Sequence, residues 1–61
     1  MRSPVERGLL IADMLHRDTP VTTKVIIAQF SVSLATAKRD MVTAERMLPV
    51  LRERGTLRLL K

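Results

Sequence analysis

The chain has 61 residues, a formal net charge of +5, no cysteine, one histidine and a single aromatic residue, Phe30. A domain of this length buries only about 60% of the surface its unfolded chain exposes, and without cysteine or a set of metal ligands neither a disulfide nor a structural metal reinforces it, which leaves pairing with a second subunit. The positive balance calls for an anionic partner, nucleic acid or a membrane surface, and the absence of cysteine fits a reducing cytoplasm, the expected location.

Ser3-Pro4-Val5-Glu6 has the order of a capping box: a serine N-cap, proline at the first helical position and a glutamate three residues on. The first helix therefore starts at Pro4. Val5, Leu9, Ala12 and Leu15 are expected to face the core with Ile11 beside them, while Glu6, Leu10, Asp13 and Arg17 share the outer face. Gly8 lowers helicity and is expected to serve close packing against another helix. Arg2, Arg7 and Arg17 read as solvated surface, and His16 as a boundary residue with no companion ligands for a metal. The apolar run Leu9 to Leu15 is broken by Asp13 and is too short for a membrane span, and the N-terminus lacks a cleavage region, so the chain reads as soluble and unprocessed.

Asp18-Thr19-Pro20 ends this helix, because Pro20 disfavours helical geometry at Thr19. Thr22 is the expected N-cap of a second helix, with Val21 and Ile26 spaced as a hydrophobic staple. Val25, Ile26, Ala28 and Phe30 are its core candidates. The β-branched run Val25-Ile26-Ile27 also suits a strand, but the cap before it and the tight turn after it favour helix. Phe30 reads as a plug between the second and third helices rather than a base-stacking residue.

Ser31 and Val32 leave room only for a tight turn before Ser33, the expected N-cap of a third helix that starts at Leu34. At helical spacing, Leu34, Ala37, Met41, Ala44 and Leu48 fall on one side, and Ala35, Lys38, Arg39, Val42 and Arg46 on another. One face is apolar and the other basic, and a short helix, a tight turn and such a helix make a helix-turn-helix. The charge distribution agrees: residues 1–33 carry four basic against three acidic side chains, residues 34–61 seven against three.

Val32-Ser33, Thr36 and Lys38-Arg39-Asp40-Met41 resemble the V-S-x-x-T-x-R-R-D-L signature of DeoR-type bacterial repressors, with Lys38 for the first arginine and Met41 for leucine. The resemblance extends back through Val21-Thr22 and the run Leu9 to Leu15. The chain differs from the family pattern at Ile27, at Ser31 in the turn, and at Gly55, which falls later than the glycine before the family's wing. The resemblance implies DNA binding by the helix that starts near Ser33. It does not carry over a sugar-phosphate effector domain, for which 61 residues leave no room.

Pro49 disfavours helix at Leu48, so the third helix is expected to stop there. A short fourth helix from Pro49 through about Arg54, closed by Gly55, is the expectation for the next segment. Thr56 to Leu60 is left with three readings: a strand of a rudimentary wing, a dimer strand or a loose tail. Leu51, Leu57, Leu59 and Leu60 are too apolar for a free tail, and at least some are expected to be buried, as in an interface between subunits.

No catalytic constellation is present: the histidine has no partner in a motif, there is no phosphate loop, and the carboxylates are scattered. The expectation is therefore a mainly α, single helix-turn-helix domain over residues 1–61, of three or four helices with or without a minimal β wing, that is not an enzyme and needs no cofactor. Its function is sequence-specific binding of double-stranded DNA as a transcriptional repressor, with no membrane partner and a homodimer as the active unit. Thr22, Thr23, Lys24, Ser33 and Thr36 suit phosphate oxygens. Lys38, Arg39 and Arg46 supply charge along one helix face, Arg39 as the bidentate guanine reader, and Ala35 can meet a thymine methyl. The alternatives are a helix-turn-helix used for protein contacts in a larger DNA-associated assembly, and a basic amphipathic peptide acting at membranes.

Overall fold

A computed structural model describes residues 2–60. Its elements in chain order are α1 (Pro4–His16), α2 (Thr23–Phe30), α3 (Leu34–Met47), β1 (Val50–Glu53) and β2 (Thr56–Leu59). The molecule is thus a small three-helix, helix-turn-helix domain with a minimal β wing.

Each helix begins at the expected cap. Ser3 Oγ accepts from the Glu6 N–H at 3.1 Å, Thr22 Oγ1 from the Val25 N–H at 3.1 Å and Ser33 Oγ from the Thr36 N–H at 3.2 Å. Each bond satisfies an amide that has no partner inside its helix. The turn between α2 and α3 is made by Ser31, which enters the left-handed region at φ 53° and donates its N–H to the Ile27 carbonyl at 2.9 Å. A left-handed residue at that place reverses the chain at once, so only Val32 separates it from the next cap.

The core consists of Ile11 and Leu15 from α1, Val21, Ile26 from α2, Ala37, Met41 and Ala44 from α3, and Leu57 from β2. Phe30, Ile27, Leu48 and Leu59 pack against its margin. Phe30 thus sits half-buried, as a side chain at the edge of the core.

Several expectations are corrected. Val5 and Leu9 are 72% and 68% exposed, because the inward face of α1 runs through Arg7, Ile11 and Leu15 at four-residue spacing, not through Val5 and Leu9. Arg7 is accordingly buried rather than solvated. Gly8 serves no close helix packing: a Cβ built there would meet no atom within 4 Å outside its chain neighbours and the backbone of its own helix. Ala28 and Leu34 are exposed, and the buried stripe of α3 includes Asp40 beside Ala37, Met41 and Ala44.

The fourth helix does not form either. Val50–Glu53 is a strand paired antiparallel with Thr56–Leu59, in the register Val50 opposite Leu59 and Arg52 opposite Leu57. The two-residue loop between them, Arg54 at φ 50° and Gly55 at φ 77°, has the paired positive φ values of a type I′ hairpin turn, whose twist matches that of the strands. One and a half turns of helix after Pro49 have too few hydrogen bonds to offset the cost of nucleation. The hairpin instead delivers Leu57 to the core, and Val21 joins it by a bridge in which the Leu57 N–H donates to the Val21 carbonyl at 2.8 Å.

Candidate nucleic-acid interface

On α3 the buried residues are Ala37, Asp40, Met41 and Ala44. At about 3.6 residues per turn, the arc directly opposite holds Ala35, Lys38, Arg39, Val42 and Arg46. All five are exposed. The basic half of the division expected from spacing is therefore turned outward, while of the expected apolar stripe Ala37, Met41 and Ala44 are buried, Leu48 is half-buried and Leu34 is exposed.

What leaves this face positive is the placement of the nearby acids. Asp40 turns inward and accepts from Arg7 Nε at 2.7 Å, with both side chains about nine-tenths buried. Glu45 pairs with Arg52 of β1 at 2.9 Å. Neither carboxylate is bonded to Arg39, and among the described residues the ion pairs engage Arg7, Arg17 and Arg52 but none of Lys38, Arg39 or Arg46. Three cations on one helix face thus keep their donors for an external acceptor.

At the start of α3, Ser33 Oγ donates to Thr36 Oγ1 at 3.1 Å while accepting from the Thr36 amide. The Ser33 proton is used within the chain, and the Thr36 hydroxyl retains its own proton to donate outward. Thr22 is half-buried and occupied as the cap of α2, Thr23 is half-buried beside it, and Lys24 is exposed. Thr23 is nevertheless brought to the α3 face: with Lys38, Met41, Val42, Arg52 and Gly55 it lines one basin of about 280 Å³ between α2, α3 and the hairpin. Arg46 stands apart. It lies in the last turn of α3, about 18 Å along the helix from Leu34 at 1.5 Å per residue.

The hairpin adds cations that the sequence reasoning missed. Arg54 is exposed at the hairpin turn and Arg58 on the outer side of β2. The Arg54-Gly55 pair between two four-residue runs fits a hairpin turn as well as the end of a short helix, so it did not single these cations out. No helix among the described residues is long and apolar enough to cross a membrane.

Comparison with known proteins gives one clear result: the model of the DeoR-like helix-turn-helix domain family matches residues 7–61. Neither the curated proteins nor the solved structures compared with the chain gave a match.

Proposed function

The chain belongs to the DeoR-like helix-turn-helix domain family, whose module binds DNA and serves transcription regulation, and from that premise we propose that residues 1–61 act as one domain that binds double-stranded DNA sequence-specifically and represses transcription by occluding a promoter. The observation that carries this reading is the exposed face of Ala35, Lys38, Arg39, Val42 and Arg46, whose cations are left unpaired because Asp40 and Glu45 are engaged elsewhere.

In mechanism, the first half of α3 enters the major groove. Arg39 pairs its guanidinium fork with a guanine edge, Ala35 and Val42 meet thymine methyls, and Lys38 contributes a point charge. Thr36, Ser33 and Lys24 contact phosphates at the groove's margins, with Thr22 and Thr23 bracing the start of α2. Arg46, in the last turn of α3, acts on the backbone. Arg54 at the hairpin turn reaches the adjoining stretch of duplex.

The active unit is a homodimer, because one chain presents one recognition helix and a core of this size is marginal alone. Its surface differs from the one expected from the C-terminal leucines, since Leu57 is consumed by the chain's own core and Leu59 packs at its margin. Val5, Leu9 and Met47 instead are the most exposed of the large hydrophobic residues, along the groove between α1 and α3. An inverted-repeat operator with half-sites about 10 bp apart, or a multiple of that, follows from a two-fold dimer.

Selection from fragmented genomic duplex, followed by competition with unrelated duplex, tests the reading. Enrichment of one motif, with binding that weakens steeply as salt rises, is the expected outcome. Weak binding that unrelated duplex competes away equally would favour a helix-turn-helix used for protein contacts.

A further inference from the structure

Arg7 is the most heavily used cation among the described residues, and none of its bonds belongs to the proposed DNA-facing surface. Its Nε donates to Asp40 Oδ2 at 2.7 Å, its Nη2 to Asp40 Oδ1 at 3.4 Å, and its Nη1 to the backbone carbonyl of Arg2 at 2.9 Å. A buried ion pair stabilises no more than a well-packed apolar pair of the same size, and often less, so its geometry says more than its energy. Here that geometry links two segments. Asp40 lies on α3, and Arg2 precedes α1, so one guanidinium ties the N-terminal segment to the recognition helix.

The consequence is a cleft of about 610 Å³ with Arg2, Ser3 and Arg7 on one wall and Ser31, Ser33 and Thr36 on the other. Asp40 neutralises Arg7, so among the residues that line the cleft the charge left is the exposed side chain of Arg2, with the Glu6 carboxylate at its rim accepting from Ser3 Oγ at 3.5 Å. Ser33 and Thr36 form the tip of α3, and a phosphodiester backbone flanks any groove that this tip enters.

We propose that Arg2 is a phosphate-contacting residue at the edge of the recognition site, and that Arg7 and Asp40 are positioning residues that hold it there. The inference rests on the reading of α3 as a DNA-binding helix. Arg2 adds one sequence-independent contact, and Asp40, though it faces away from DNA, governs that contact through Arg7.

The test is the salt dependence of duplex binding by the 61-residue chain on its selected site and on a scrambled site. Arg2→Ala is expected to make the plot of log K against log salt shallower by about 0.9, the release of one phosphate's counterion, with the ratio between the two sites unchanged. Arg2→Lys is expected to restore the slope. In an Arg7→Lys background, which keeps a cation for Asp40 but has no fork to reach the Arg2 carbonyl as well, Arg2→Ala is expected to change the slope by much less than in the wild type. An unchanged slope for Arg2→Ala overturns the contact, and an equal change in both backgrounds overturns the positioning role. The Arg2 comparison decides the contact even where Arg7→Lys fails to fold. A wild-type chain that binds no duplex, or both sites equally, overturns the function itself, an outcome distinct from wild-type specificity with an indifferent Arg2.

Discussion

Asp40 and Arg7 show why charge type alone misleads at the level of single residues. Each lies on an otherwise apolar stripe, Arg7 four residues before Ile11 and Asp40 between Ala37 and Ala44. Two opposite charges on the inner stripes of two helices signal a buried pair, but reading every exposed-type side chain as solvated hides it. The same error rotated α1 so that Val5 and Leu9 faced inward in the expectation. Removing one partner exposes the cost of the arrangement: Asp40→Ala leaves a buried guanidinium without its counter-charge and is expected to lower stability by about 3–5 kcal/mol in urea unfolding. Replacement of both, Arg7→Met with Asp40→Leu, is expected to be close to neutral by the same measurement. Loss of less than about 1 kcal/mol on Asp40→Ala would show that the pair behaves as a surface salt bridge.

For the secondary elements, the helices were legible because their starts are chemical. Ser3, Thr22 and Ser33 each offer a hydroxyl to an amide three residues on, a pattern that spacing alone reveals. The hairpin was not legible in the same way. Pro49 and Gly55 are boundary signals for a short helix as well as for a hairpin, and the pairing that decides between them brings Leu57 against Val21, a contact across 36 positions of sequence. Ser31 marks a second place where backbone geometry, not pattern, is decisive. It holds φ 53° with a side chain where the turn favours glycine, and a Cβ in the left-handed region costs about 1–2 kcal/mol. Ser31→Gly is therefore expected to raise the melting temperature, with the gain reduced by glycine's larger loss of backbone freedom. A lower melting temperature would mean that the turn depends on the serine side chain.

At the scale of the whole molecule, the candidate site was legible as a face but not as a surface. The basic arc of α3 followed from helical spacing, whereas the approach of Thr23, Arg52 and Gly55 to Lys38 depends on how α2 and the hairpin pack, which no local pattern encodes. The dimer belongs to this scale as well. Because Val5 and Leu9 are exposed, Val5→Asp with Leu9→Asp leaves the core intact; the proposed dimer predicts a folded monomer in sedimentation for this variant against a dimeric wild type, with weakened binding to a two-half-site duplex. A wild-type chain that sediments as a monomer both alone and on its specific duplex would remove the dimer from the account.

The claim on which the rest depends is that α3 reads bases, and paired substitutions at Lys38 and Arg39 address it directly. Binding of each variant is measured against the selected site and single-base variants of it. Arg39→Ala is expected to cost about 1–3 kcal/mol on the selected site and to erase the preference at one guanine, while Lys38→Ala weakens every duplex to the same degree. Equal losses on all sequences for both variants, with every base preference retained, would contradict base reading by Arg39 and reduce α3 to an electrostatic contact.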